Sequence, residues 1–349
     1  MSQVQDSNAA AATQSEKPVR IGFIGSGGMA RHHMGQLLQI PGVSITALCD
    51  IAPEQLQRVQ ERFPTLADVY TTADYKELLG RDDVDAVIIA TPHTLHYAQT
   101  IDAIEAGKHI LIEKPMVCSV TDAHALLKRL ETYDQIVALA YQRHAMSAFR
   151  YMKQKISSGE LGAVTFLTAL QCQGWKKGTR GSWRQDMSLS GGGQINDSGS
   201  HLLDILLWVT GLTVAEVSAF IDNLGTPVDI NSALAFRFLP VEGQESGAQG
   251  TISVVGDAPT WHEDITIWCE KGIFFYRNGA LEFCDENGKR TKLEEADMPP
   301  GENIDENFVR ALRGEGEIAA PPLCGLRTIE LTEAAWRSGA EGNVPVKMN

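Results

Sequence analysis

The stretch Val19-Arg20-Ile21-Gly22-Phe23-Ile24 runs directly into Gly25-Ser26-Gly27-Gly28-Met29-Ala30, and its reading decides the fold. A short apolar run ends in a G-x-G-x-x-A loop, and the loop opens a helix. At such a junction Gly25 allows the tight turn, Gly27 lets the backbone approach a pyrophosphate, and Ala30 lets helix and sheet pack closely. Ser26, Gly28 and Met29 complete the loop. The helix N-terminus presents free N–H groups and a positive dipole end to phosphate oxygens. Asp50 ends the next apolar run, about 20 residues beyond Ala30, where an acid meets the adenosine ribose hydroxyls of a dinucleotide. A carboxylate there repels a 2′-phosphate, and Ile51-Ala52-Pro53 brings no cation to offset it. NAD is therefore expected ahead of NADP, with Arg31 and Arg58 as the cations able to fold back.

Outward from this loop the rhythm repeats. Val43–Cys49, Val84–Ala90, His109–Ile112 and Ile136–Ala140 are compact, mostly β-branched runs, as suits strands buried on both faces. Between them Met29–Gln39, Pro53–Phe63, Asp74–Leu79, Leu95–Glu105 and Thr121–Leu130 read as helices. Pro53 suits a first turn, Ser119 or Thr121 a cap, and Gly107 a left-handed stop. The alternation predicts an α/β, doubly wound parallel sheet over residues 18–141. After Leu161 the texture changes. Val164–Leu170, Val214–Ile221, Ala233–Leu239, Gly250–Val255, Ile265–Cys269 and Ile273–Tyr276 follow one another through turns at Gly243, Gly247, Asn278-Gly279 and Asn287-Gly288. Residues 142–349 are expected to form an α+β domain. Its mostly antiparallel open sheet would be flanked by helices near Ser200–Val209, Asn303–Leu312 and Leu326–Arg337.

Composition agrees with this plan. The 349 residues are 43% hydrophobic and 21% charged, enough for about two domains and a core that needs no staples. Thirty basic residues against 44 acidic ones leave a net charge of −14, which argues against a duplex nucleic-acid partner. The longest apolar stretch, Leu202–Val209, is interrupted by Asp204 and falls far short of the roughly 20 residues that span a bilayer. The six cysteines form no C-x-x-C pair, so no metal site is expected, and their scatter fits a reducing compartment. Residues 1–17 are polar, lack an apolar targeting core and read as a disordered arm. A cytoplasmic location is expected.

Two further motifs carry chemistry. Thr91-Pro92-His93-Thr94-Leu95-His96 follows the run Val84–Ala90, and Glu113-Lys114-Pro115 follows His109–Ile112. Both lie at carboxyl ends of parallel strands, where doubly wound sheets bind ligands. Downstream, Gly191-Gly192-Gly193 leads to Asp197-x-x-x-His201. With these residues in order, the chain from Arg20 onward resembles the GFO/IDH/MocA family of glucose–fructose oxidoreductase, inositol dehydrogenase and rhizopine-catabolism oxidoreductase. The resemblance rests on the glycine loop, on Ala90–Met116 and on Trp183–Gly211.

That resemblance implies an NAD(P)-dependent oxidoreductase acting on a sugar, cyclitol or related polyol, with Lys114, Asp197 and His201 catalytic. The expected cofactor contacts are Gly25 to Ala30, Asp50, Thr91, Pro92, His93, His96, Glu113, Lys114 and Gln142, with Glu113 near the nicotinamide ribose. Lys114–Pro115 is a candidate cis peptide. His93 stands where many relatives have asparagine, and Gln194-Ile195-Asn196 stands where they are usually apolar. Substrate identity therefore does not transfer.

The chemistry asks for the same groups. Oxidising an alcohol needs an acceptor for the hydride, which nicotinamide supplies, and a base for the hydroxyl proton, for which histidine has the range. Asp197 and His201 share a face if a helix begins near Asp197. The carboxylate would then orient the imidazole or bind a neighbouring hydroxyl. Lys114 can stabilise the reacting oxygen. Like charge from nicotinamide would lower its proton affinity. It thus remains a second candidate for the base, with His201 as positioner. His32, His33, His109, His124 and His262 show no partner pattern and read as structural or surface residues.

The substrate side is read from three segments. Tyr141-Gln142-Arg143-His144 follows the run Ile136–Ala140 and is expected to open into the cleft. Trp175-Lys176-Lys177-Gly178-Thr179-Arg180 and Trp183-Arg184 make a basic, aromatic loop. Indole faces suit sugar rings, and guanidinium forks suit hydroxyl pairs or carboxylates. Tyr141, Arg143, Trp175, Arg180 and Asn196 are the candidate substrate contacts, together with Lys114, Asp197 and His201. Packing or a subunit contact is the competing role for this loop, level for Trp175, Lys176 and Arg180. It is favoured for Trp183, set against Gly191–Gly193, and for Arg184. The glycine triplet is expected to let the chain pass beneath the cofactor. On the second sheet Val217, Ala219, Ile221, Ala235 and Ile252 would leave an apolar face open, which predicts a homo-oligomer. The resemblance implies face-to-face dimers or tetramers. Two rival functions stand beside the dehydrogenase: a redox-neutral enzyme that retains its cofactor, and a non-catalytic cofactor sensor. A pure binder would gain nothing from Lys114, Asp197 and His201.

Overall fold

A computed structural model describes residues 18–241 and 245–348. The arm expected at 1–17 and the turn at Gly243 lie outside the described residues. The first half alternates as β1 (Val19–Ile24), α1 (Gly28–Leu37), β2 (Val43–Cys49), α2 (Pro53–Arg62), β3 (Tyr70–Thr72), α3 (Tyr75–Leu79), β4 (Ala86–Ile89), α4 (His96–Glu105), β5 (His109–Ile112), α5 (Val120–Leu130) and β6 (Val137–Leu139). The strands lie in the order β3-β2-β1-β4-β5-β6, all parallel. The order reverses between β1 and β4, so a crevice opens above their carboxyl ends. β4 is buried along its whole length, as its unbroken apolar run requires. Ser119 caps α5 by accepting from the Asp122 amide.

The second half runs α6 (Ser147–Ser157), β7 (Val164–Cys172), the one-turn helices α7 (Trp175–Gly178) and α8 (Met187–Ser190), and α9 (Ser200–Thr210). Then come β8 (Val214–Asp222), β9 (Asn231–Phe238), β10 (Gln249–Val255), β11 (His262–Cys269), β12 (Gly272–Arg277), β13 (Ala280–Asp285) and β14 (Arg290–Leu293). The chain closes with α10 (Ile304–Leu312), α11 (Pro322–Ala340) and β15 (Val346–Lys347). Nine strands form one sheet, β14-β13-β12-β11-β7-β10-β9-β8-β15. Its pairings are antiparallel except β7 with β10.

Two expectations change here. Strand alternation turns Val217, Ala219 and Ile252 inward, into the core with α9 and α11. Ser218, Phe220, Ala235 and Thr251 are the residues that face outward, because side chains alternate with period two. The second change concerns α10, expected beside the second sheet. Its Ile304, Phe308 and Val309 instead pack with Phe23 and Met34 in the core of the first. α11 serves both cores, Leu326 and Ile329 in one and Leu331, Ala334 and Ala335 in the other. Among the described residues no helix is long and apolar enough to cross a membrane.

Candidate active site

The crevice above β1 and β4 opens into a cavity of about 540 Å3. Gly25 sits at φ +90°, and a Cβ there would lie 2.6 Å from the Ala90 carbonyl oxygen; only glycine fits. A Cβ on Gly27 or Gly28 would meet nothing within 4 Å, so both backbones face open space. α1 starts at Gly28 without a side-chain cap or an acidic first turn. Its orphan N–H groups are thus left for an anion. Asp50 is fixed by its own loop, Oδ2 accepting from the Ser26 amide at 2.8 Å and Oδ1 from the Ala52 amide at 2.9 Å. Arg31 folds back, donating to the Ser26 carbonyl and to Gln55 Oε1. These residues fit a dinucleotide, with diphosphate at Gly27–Gly28 and ribose at Asp50.

Met29, Thr91, Pro92, His93, Glu113, Lys114 and Gln142 line the same cavity. Ser26 and Ala30 lie buried behind its wall. His96 does not reach it; it is buried, with Nδ1 2.7 Å from the Pro115 carbonyl and Nε2 3.0 Å from that of Thr91. It therefore ties the two ligand loops together rather than touching what they hold. The Lys114–Pro115 peptide is cis.

Lys114 and His201 line the cavity too, near enough for the charge of one to act on the other. Lys114 Nζ donates to Asp197 Oδ1 at 2.7 Å. Trp175 Nε1 and Arg184 Nε donate to Asp197 Oδ2 at 2.8 and 2.9 Å. Burial opposes the charge on Asp197. The cations of Lys114 and Arg184 outweigh burial and hold the carboxyl far below its usual range. Burial drives the His93 imidazole down to about 3, so that ring is neutral. Its Nδ1 faces the Ser190 carbonyl at 3.1 Å. A carbonyl only accepts, so Nδ1 carries the hydrogen and Nε2 keeps a lone pair. His201 is also held well below its ordinary range, first by burial, then by the positive charges of Lys114 and Arg143.

Several expected residues stand elsewhere. α9 begins at Ser200, not near Asp197. The Asp197 oxygens go to Lys114, Trp175 and Arg184, so Asp197 clamps cations rather than orienting His201. Tyr141 is buried, its ring edge-on to His201 at 5.9 Å and stacked on His144 at 6.1 Å. Arg143 pairs with Glu263 at 2.5 Å, and His144 with Asp204 at 2.7 Å; of this segment only Gln142 lines the cavity. Trp175 packs with Val228 and Ile230, so its faces are closed to a sugar. Arg180 is exposed outside the cavity, and Asn196 is buried against Cys118. The glycine triplet makes room for protein: a Cβ at Gly191, Gly192 or Gly193 would strike Cys118, Trp336 or the Asp229 backbone.

Trp183 and Arg184, assigned above to packing, line the cavity instead. Trp183 meets the His93 ring edge-on at 4.7 Å. A buried network was also missed. His33 sits between two carboxylates, Nδ1 2.8 Å from Asp305 and Nε2 2.9 Å from Glu113. Burial opposes charge on this imidazole, yet Asp305 and Glu113 push it up to about 10. Glu113 Oε2 in turn accepts from the Lys114 amide at 3.0 Å. The signal was present in α1, where Ala30, Met34 and Leu37 form an apolar stripe that includes His33; a buried imidazole needs partners.

The chain resembles proteins of differing chemistry. It is 33% identical over 143 residues to 4-carboxy-2-hydroxymuconate-6-semialdehyde dehydrogenase of Sphingobium sp. (strain NBRC 103272 / SYK-6), covering 41% of this chain and 44% of that protein. It is 33% identical over 180 residues to an alpha-N-acetylgalactosaminidase of Shewanella oneidensis, covering 48% of this chain and 39% of that one. The chain thus spans less than half the length of these curated relatives. Levoglucosan dehydrogenase, solved in complex with NADH and levoglucosan, superposes with TM-score 0.83 over 95% of this chain and 100% of that one at 21% identity, a likeness of fold. Residues 19–141 match the NAD-binding Rossmann fold of the GFO/IDH/MocA oxidoreductases, and residues 149–275 match their C-terminal domain. Matched in order over more than half its length, the chain belongs to the GFO/IDH/MocA oxidoreductase family.

Proposed function

We propose that this protein is an NAD-dependent dehydrogenase that oxidises a secondary alcohol of a sugar, glycoside or cyclitol. The observation that carries this reading is one shared cavity lined by Gly27, Asp50, Lys114 and His201, with Gly27 and Asp50 following β1 and β2 and Lys114 following β5 across the sheet. Bound there, NAD supplies the hydride acceptor. Lys114, steered by Asp197, donates a hydrogen bond to the reacting oxygen and stabilises its developing charge. His201, neutral at pH 7, takes the hydroxyl proton on its imidazole. Lys114 is already donating to Asp197, which favours His201 over Lys114 as the acceptor. Trp183 and His93, in edge-on contact, form part of the wall beside them.

The test is a panel of inositols, aldoses, glycosides and anhydrosugars with NAD and NADP, read by reduced nicotinamide. Turnover that falls by about 10² or more in Lys114→Ala, with NAD binding kept, supports the reading. Full activity in that variant overturns it. The alpha-N-acetylgalactosaminidase likeness favours a redox-neutral second reading; glycoside conversion without net NADH would select it.

A further inference from the structure

We propose that Arg184 recognises a carboxylate on the substrate, so that the preferred substrate is an acidic sugar or polyol rather than its neutral parent. This rests on the dehydrogenase reading of the cavity and names the class of molecule it takes.

Arg184 is held from two sides. Its Nε donates to Asp197 Oδ2 at 2.9 Å, and its guanidinium carbon lies 4.4 Å over the Trp183 ring. Among the described residues neither terminal nitrogen has a hydrogen-bond acceptor, although the side chain lines the cavity and is only 32% exposed. A guanidinium fixed through Nε, stacked on an indole and free at both ends is a preorganised fork for two acceptor oxygens. Lysine in its place would present a single point charge.

The charge count around Asp197 points the same way. Lys114 and Arg184 share the single carboxylate of Asp197. His93 and His201 are both held toward their neutral forms. Glu113 also lines the cavity, but its oxygens are taken up by His33 and the Lys114 amide; in the bonded cluster of Lys114, Arg184 and Asp197 two cations face one anion. The negative network of Asp305, His33 and Glu113 is turned toward the Lys114 backbone rather than toward Arg184. The cofactor's diphosphate does not claim the fork, because Gly27 follows β1 while Lys114 follows β5, two strands or about 10 Å across the sheet.

The fork leaves reaction chemistry to Lys114 and His201 and selects among alcohols by what they carry. A hydroxyl pair would fill it with weaker, neutral hydrogen bonds; a carboxylate would fill it with charge-assisted ones.

The experiment pairs each aldose with its uronate, glucose with glucuronate and galactose with galacturonate, under saturating NAD. The ratio of kcat/KM for acid over parent sugar is read for wild type, Arg184→Gln and Arg184→Lys. A ratio above one that collapses by about 10- to 100-fold in Arg184→Gln supports the proposal, with Arg184→Lys intermediate. The ratio cancels any general loss from disturbing Asp197. A ratio unchanged by the substitution overturns the proposal. Calorimetry of glucuronate and galacturonate against the enzyme–NADH complex separates the two readings. Uronate binding that weakens in Arg184→Gln, without turnover of any alcohol, sinks the dehydrogenase reading and keeps this one. Turnover of neutral sugars with no uronate binding does the reverse.

Discussion

Asp50 shows how much one side chain can decide. Its two oxygens already accept from the Ser26 and Ala52 amides, so the carboxylate is fixed before a ribose arrives. Asp50→Ala should weaken NAD by about 10-fold or more, the worth of a hydrogen-bonded charge, and should raise the relative use of NADP because Arg31 stands beside the loop. Titrating both cofactors calorimetrically checks this, and an unchanged NAD:NADP ratio would count against the role. His201 makes a kinetic prediction. Its imidazole is held below the ordinary histidine range, so it remains a proton acceptor in mildly acidic buffer. The acid limb of kcat/KM should therefore lie below pH 6.5 in wild type. His201→Gln should lose about 10²–10⁴-fold in turnover and lose that limb. Asp50 and His201 were readable because each sits at a fixed offset from a glycine signature. The partners of Asp197 were not readable, since Lys114, Trp175 and Arg184 reach it from separate loops whose directions no spacing encodes.

At the scale of elements, α10 is the informative case. Its apolar stripe and its capping box at Asn303 and Glu306 make the helix legible, but not which sheet it covers. Phe308 and Asp305 settle that by meeting the first core and His33. β1, β2 and β5 were legible from end to end, since each is a compact, mostly apolar run bounded by polar or turn residues. β3, three residues long, carries too little pattern. The Asp305–His33–Glu113 network ties α10, α1 and the end of β5 together, so it should act on stability. The folded-state value of His33, about 10, lies above its ordinary 6.5. Its contribution is thus complete below pH 6.5, falls through the window from 6.5 to 10, and is gone above it. The melting-temperature gap between wild type and His33→Gln should narrow steadily across that window. A gap constant from pH 6 to 10 would mean that the imidazole is not charged in the fold.

At the scale of the whole molecule, the described residues leave one sheet face uncovered, and register makes its composition plain. Ser218, Ala235, Thr251, Thr168, Thr266 and Phe275 lie in one row across six strands. The flanking rows end in paired charges, Glu216 with Arg237 and Asp264 with Arg277. A centre of uncharged, mostly small side chains with the charged pairs at the row ends suits another flat sheet. A two-fold axis through it would lay each row near its own copy. We expect a dimer or larger assembly at micromolar concentration in sedimentation velocity. Ala235 and Thr251 are exposed in the single chain, so an arginine at either position leaves the fold intact but places like charges on both sides of such an interface. Ala235→Arg and Thr251→Arg should shift the protein to monomer while the melting transition stays cooperative. A wild type that sediments as a monomer, or variants that assemble as it does, would show that this face is not where copies meet.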